Sequence, residues 1–279
     1  MTSGAPMVGF MQGRLSPLVG GRIQAFPGGH WREEFALAER HGFGLMEWTI
    51  DHDGIDDNPF MTVSGRTEIR GLRERHGVAI RSVTADNFMQ APFFKAAGRT
   101  AVDWLGELRR LVDAAAELDL RYVVVPLVDN GRVESAPQAT RLREGLDRLV
   151  LADAGPKIIF ESDLAPAELG SFIAAYPQAR FGINYDIGNS ASLGHDPRAE
   201  MATYAGRIDN VHVKDRLAGG TTVPLGQGAA DLPLVLRLLT DVGYRGDFIL
   251  QTARAADGDH AGALCRYRDR VRALLDGAS

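Results

Sequence analysis

The chain has 279 residues, 45% of them hydrophobic and 24% charged, with a formal net charge of −5. That balance describes a folded globular chain and excludes a disordered or strongly basic nucleic-acid-binding one. One cysteine, Cys265, excludes a disulfide scaffold and a multi-cysteine zinc site.

In chain order, eight short apolar or β-branched runs alternate with longer segments of helical spacing. Val8–Met11 precedes Trp31–His41, Leu45–Ile50 precedes Thr67–His76, and Ala79–Thr84 precedes Thr100–Leu118. Tyr122–Pro126 precedes Gln138–Leu151, Ile158–Glu161 precedes Ala165–Tyr176, and Phe181–Asp186 precedes Pro197–Tyr204. Asn210–Lys214 then precedes Leu232–Val242, and Phe248–Gln251 precedes His260–Leu275. Runs such as Tyr122–Pro126 are apolar on both faces, as expected of strands buried between layers. Val102, Leu105, Leu108, Val112 and Ala115 predict one apolar helix face. Strand–helix alternation predicts a parallel sheet covered by helices. The first strand runs into Gln12-Gly13-Arg14-Leu15-Ser16-Pro17, which lacks the glycine-rich phosphate turn of an open doubly wound sheet. The expected fold is therefore α/β, a single (β/α)8 TIM barrel over residues 1–279. Met1–Pro6 has no basic stretch leading into an apolar run, and no run of about 18 apolar residues could cross a membrane, so the expected location is the cytoplasm.

A barrel carries its chemistry at the C-terminal ends of its strands. There the sequence offers Glu161, Asp186, His212 and Gln251 on four successive strands. Carboxylate, imidazole and amide donors suit a divalent ion. Such an ion acts as a Lewis acid and stabilises the enediolate formed when the carbon beside a carbonyl loses its proton. Asp86-Asn87-Phe88-Met89, after the third strand, is expected in the pocket wall, and Leu225-Gly-Gln-Gly228 as a tight loop over the seventh. Arg14, Arg216 and Arg254 are candidates to grip a substrate phosphate or carboxylate. Glu47, beside Trp48 and Asp51, is placed at the cavity rim, either touching substrate or backing a ligand. Three of the 31 basic residues are lysines, and only Lys214 adjoins a candidate ligand.

Gly9-Phe-Met-Gln-Gly-Arg14, Ile-Phe-Glu161, Tyr-Asp186-Ile-Gly-Asn189, Val-His212-Val-Lys214-Asp215-Arg216, Leu225-Gly-Gln-Gly228 with Asp231, and the last strand before Gln251 together resemble the sugar-phosphate isomerase/epimerase group of xylose-isomerase-like TIM barrels. The resemblance covers essentially the whole chain and is specific for the superfamily, not for a substrate. It implies that Glu161, Asp186, His212 and Gln251 hold one divalent ion (Mn²⁺, Mg²⁺, Co²⁺ or Zn²⁺), with Glu161 catalytic and Asn189 at the substrate. Strand-end position adds Lys214 as a catalytic candidate and Arg14, Glu47, Asp215, Arg216 and Arg254 as candidate substrate contacts, while Lys214 and Asp215 could instead be an ion pair that orients the loop. The last ligand of the group is usually a glutamate that exchanges protons with the first across the substrate. Gln251 cannot act as a base, so either another group is needed, with Lys214, Asp215, Glu47 and Asp163 as candidates, or the chemistry uses only one face. Asn189 stands where some epimerases have a histidine, and an amide does not readily take a proton.

The expected activity is isomerisation or epimerisation of a small sugar, keto-sugar or sugar phosphate, with no nucleic-acid or membrane partner and a homo-oligomer left open. Two alternatives stand beside it. A metal-assisted lyase or dehydratase needs only one base and one acid. A non-catalytic or partner-dependent barrel would carry a degenerate metal site.

Overall fold

Strand β1 (Val8–Met11) opens a closed eight-stranded parallel barrel in the computed structural model, which describes residues 6–149 and 155–277. It is followed by β2 (Leu45–Ile50), β3 (Ala79–Ala85), β4 (Tyr122–Leu127), β5 (Lys157–Ser162), β6 (Phe181–Asp186) and β7 (Ile208–Val213). A two-stranded antiparallel hairpin, β8 (Asp215–Arg216) with β9 (Thr222–Val223), intervenes before the last barrel strand, β10 (Asp247–Leu250). The ring order is β1-β10-β7-β6-β5-β4-β3-β2, so each strand pairs with its neighbours in sequence, the small hairpin aside, and β10 closes on β1.

The helices are α1 (Trp31–Arg40), α2 (Val63–His76), α3 (Asp86–Gln90), α4 (Gly98–Glu117), α5 (Ala136–Arg148), α6 (Pro166–Ala174), α7 (Ile187–Ser192), α8 (Pro197–Tyr204), α9 (Leu232–Asp241) and α10 (His260–Gly277). Every strand and long helix expected from the sequence is present. The end of the segment read as Gln138–Leu151 lies outside the described residues. Side-chain caps set several boundaries. The Thr62 hydroxyl accepts the Gly65 N–H, so α2 starts at Val63 rather than Thr67. Asp231 accepts the Leu234 N–H at the start of α9. Val102 leaves the predicted apolar face, being 67% exposed near the start of α4, whereas Leu108, Leu111, Val112 and Ala115 are buried. The short helices α3 and α7 follow β3 and β6 directly and went unread, because runs of five or six residues carry too little periodicity.

Alternation along each strand divides the interior from the helix layer. Phe10, Met46, Phe248 and Leu250 join the large cluster beneath the helices, while Met11, Leu45 and Ile249 form a separate small cluster. Polar side chains are buried beyond that plug, among them Glu47, Ser82, Thr84, Asn184, Asn210 and His212. No helix among the described residues is long and apolar enough to cross a membrane.

Candidate metal centre

Four neighbouring barrel strands bring the expected ligands to one end. Glu161 is the next-to-last residue of β5, Asp186 the last of β6, and His212 the next-to-last of β7; Gln251 follows β10 directly. Glu161, Asp186 and His212 are buried, and one ligand atom from each lies within 4.8 Å of the others. Glu161 is held by two amides: Asn184 Nδ2 donates to its Oε2 at 2.9 Å and Asn189 Nδ2 to its Oε1 at 2.7 Å. Asp186 also caps α7, its Oδ1 accepting the Asn189 N–H at 2.8 Å. The same short helix thus positions the candidate ligand Asp186 and the amide that steadies Glu161.

The donor set fits a divalent cation. His212 Nδ1 stands 3.0 Å from Glu161 Oε2, and Asp186 Oδ2 stands 2.6 Å from Lys214 Nζ. Both contacts are close but misaligned for hydrogen bonding, so His212 Nδ1 and Asp186 Oδ2 remain buried without a hydrogen-bond partner. Buried polar atoms of that kind call for a partner. A cation beside Glu161 would satisfy both, and oxygen with imidazole nitrogen suits Mg²⁺, Mn²⁺, Co²⁺ or Zn²⁺.

Below the cluster lies a polar bracket. Glu47 is fully buried, and its Oε1 is 2.7 Å from His212 Nε2. It also accepts from Ser82 Oγ at 2.5 Å, Thr84 Oγ1 at 2.6 Å and Asn210 Nδ2 at 3.0 Å. Burial opposes charge on His212, but Glu47 and Glu161 outweigh it and raise the imidazole pKa to about 10. Burial likewise acts to raise Glu161, yet the close approach and charge of His212, with Lys214, hold it down at about 2. Asp186 is raised by burial against the pull of Lys214. In the metal-free protein an imidazolium and an ammonium thus balance the carboxylates.

Above the cluster a cavity of about 630 Å³ opens, lined by Asp86, Glu161, Lys214, Arg216 and Gln251 among others. A hydrogen-bonded chain crosses its mouth. Lys214 Nζ donates to Gln251 Oε1 at 2.9 Å, Gln251 Nε2 to Gln24 Oε1 at 2.7 Å, and Gln24 Nε2 to Asp86 Oδ2 at 2.7 Å.

Residues 35–273 match the family model described as xylose isomerase-like TIM barrel. The chain belongs to that family. Among its relatives is the L-ribulose-5-phosphate 3-epimerase UlaE of Escherichia coli K12, 25% identical over 265 residues that cover 90% of this chain and 93% of UlaE. A solved L-ribulose 3-epimerase superposes with a TM-score of 0.72 at 18% identity, covering 98% of this chain and 95% of that one. The IOLI protein with a bound zinc atom gives 0.75 at 15% identity, covering 98% and 99%.

Within this xylose isomerase-like frame the other expected site residues divide. Asn189 and Arg216 line the cavity, with Arg216 Nη1 donating to Asn189 Oδ1 at 2.8 Å. Lys214 lies against two candidate ligands, Asp186 and Gln251. Four placements at the substrate are corrected. Glu47 is under His212 rather than at the rim, because it faces the barrel interior three residues before the end of β2. Arg14 is 3% exposed and donates to the Thr252 and Ile23 carbonyls, while Arg254 donates to the Arg14 and Ser16 carbonyls. Both arginines brace loops. Asp215 is fully buried and accepts the N–H groups of Gly226, Gly228 and Ala230, which pins the Leu225–Gly228 turn where Gly226 takes a φ of +89°. Asp163 is paired with Arg132. Gln24, which links the metal cluster to Asp86, was missed; it sits in a loop with no periodic pattern to single it out.

Proposed function

We propose that this chain is a divalent-metal-dependent epimerase or isomerase of a small ketose or ketose phosphate. The observation that carries this reading is the convergence of Glu161, Asp186 and His212 on one point below a polar cavity, with two of their atoms lacking hydrogen bonds. UlaE, a relative along nearly the whole chain, is a sugar-phosphate epimerase, which supports the same class. Glu161, Asp186, His212 and the Gln251 oxygen would hold the ion. When bound, it supplies Lewis-acid stabilisation of negative charge developing on adjacent substrate oxygens.

The protein's own groups do the rest. Glu161 is ionised at neutral pH and is the base that takes the proton from the carbon beside the carbonyl. Asn184 and Asn189 keep both of its oxygens aimed, and Arg216 in turn fixes Asn189. Lys214 orients the Gln251 oxygen and neutralises Asp186. Glu47 fixes the ring of His212 from behind, as carboxylates behind ligand histidines do.

The test is incubation with L-ribulose 5-phosphate, L-ribulose and D-tagatose in Mn²⁺ and D₂O, followed by NMR and mass spectrometry. The expected product is an epimer or isomer that has gained deuterium but lost no water, and formation stops with a chelator. A product lighter by one water would assign the dehydratase reading instead. No turnover and no Mn²⁺ binding would refute both.

A further inference from the structure

Inversion at carbon by proton transfer needs two groups, one on each face. With an amide at position 251, the metal-side arc supplies one base, Glu161. Two of the other carboxylates near the cavity are otherwise engaged: Asp163 is tied to Arg132, and Asp51 accepts the Phe26 N–H and the Gln90 amide. Glu47 and Asp215 are fully buried within their own hydrogen-bond sets. Asp86 is different. It follows β3 directly, is 6% exposed, and lines the cavity. Among the described residues its one side-chain donor is Gln24 Nε2, on Oδ2.

Resting on the epimerase reading above, we propose that Asp86 is the second acid–base residue, exchanging a proton with the substrate carbon on the face opposite Glu161. Position is the first support. The candidate ligands occupy the contiguous arc β5, β6, β7 and β10, with Glu161 at one end of it and Gln251 at the other, while β3 lies outside the arc. Asp86 lines the same cavity as Glu161 and is joined through Gln24 to Gln251, so it borders the substrate space from the side of the arc away from Glu161. Fixation is the second. Gln24 ties Asp86 to the amide of Gln251, so the carboxyl is held in register with the metal-side arc.

The step balances with no further reactant. Glu161 takes the proton as the C–H bond breaks, and the electron pair moves into the enediolate. Asp86 then gives its carboxyl proton to the same carbon from the other side, so its O–H bond breaks, a new C–H bond forms and the carbonyl returns. The pair ends with its proton on Glu161 instead of Asp86, and exchange with water resets it. Protonation fits this role. Burial raises Asp86 to about 7, with the charges of Asp51 and Glu161 adding to it, against the Gln24 hydrogen bond and His212. Arg14 also interacts with Asp86 and favours the carboxylate. Because inversion needs the Asp86 proton, kcat/KM falls on the alkaline side as that carboxyl ionises.

The experiment compares the wild-type protein with Asp86→Asn, loaded with Mn²⁺ in D₂O, on L-ribulose 5-phosphate, L-ribulose and D-tagatose. In Asp86→Asn, deuterium still enters the unconverted substrate through Glu161, while epimer formation falls by about 10²–10⁴-fold, the usual worth of a general acid. Mn²⁺ affinity measured by calorimetry stays within about twofold of wild type, since Asp86 touches no ligand directly; Asp86→Glu restores part of the inversion, with its alkaline limb retained. Epimerisation by Asp86→Asn at the wild-type rate overturns the proposal. So does joint loss of exchange, inversion and Mn²⁺ affinity, which would make Asp86 structural. Absence of exchange by the wild-type protein with all three ketoses overturns the epimerase reading itself, and the assignment of Asp86 falls with it.

Discussion

Glu47→Gln is nearly isosteric and removes one charge from the floor of the site. The carboxylate accepts from four groups, Ser82, Thr84, Asn210 and His212. A glutamine can keep two or three of these, but its own NH₂ then meets the Asn210 amide donor. The larger loss is electrostatic. His212 is raised from 6.5 to about 10 by Glu47 and Glu161 against burial. At pH 7 three units remain, and at about 1.36 kcal/mol each the pair stabilises the metal-free fold by about 4 kcal/mol. Glu161 retains its share, so the expected loss is about 3 kcal/mol, in line with breaking a buried ion pair by removing one partner. The sign follows from the raised pKa. The contribution is fully present below pH 6.5 and is lost as pH rises through about 10. Urea unfolding in excess chelator, followed by circular dichroism from pH 6.5 to 9.5, reads it directly. The gap between wild type and variant should shrink as pH rises. A gap below about 1 kcal/mol at pH 7, or one that stays flat to pH 9.5, would refute the buried imidazolium.

Two other perturbations probe the lysine and the loop. Lys214→Met removes an ammonium from Asp186 Oδ2 and Gln251 Oε1, so Mn²⁺ should bind about tenfold tighter in calorimetry, a change of about 1.4 kcal/mol. Unchanged or weaker binding would show that the ammonium does not compete for those oxygens. Asp215→Ala strips the acceptor from three backbone N–H groups and should cost about 3 kcal/mol or more. The amides of Gly226, Gly228 and Ala230 should then lose hydrogen-exchange protection, and unaltered protection would contradict the anchoring role.

The strands were legible because parallel barrel strands are buried on both faces and therefore read as apolar runs. The clustering of Glu161, Asp186 and His212 was legible for the converse reason: they are polar residues that interrupt such runs near their ends. Glu47 misled because it too interrupts a strand, yet height along the strand decides its role. Three residues at about 3.3 Å each place it roughly 10 Å below the strand end, out of reach of a substrate at the mouth. Arg14 and Arg254 misled because a guanidinium near a strand end suits a loop carbonyl as well as a phosphate. Which of these it meets is set by the path of the loop, and no local pattern encodes that path. The link from Gln251 through Gln24 to Asp86 joins three segments distant in sequence, and only the closed barrel brings them together.

The seam between β1 and β10 has a kinetic consequence. Val8 pairs with Phe248, and Asp247 Oδ1 accepts the Met7 N–H across 240 residues of chain. Arg14 to Thr252 and Gln24 to Gln251 span the same join, at separations of 238 and 227. Contacts this remote form late, because the entropy of closing so large a loop must be met before they contribute. During synthesis the half-barrel carrying Glu161 and Asp186 emerges well before its closing strand. The mouth of the cavity is thus the last part of the molecule to mature, and a nascent chain already holding Glu161, Asp186 and His212 lacks the Gln251 side of that mouth until residues near 250 arrive.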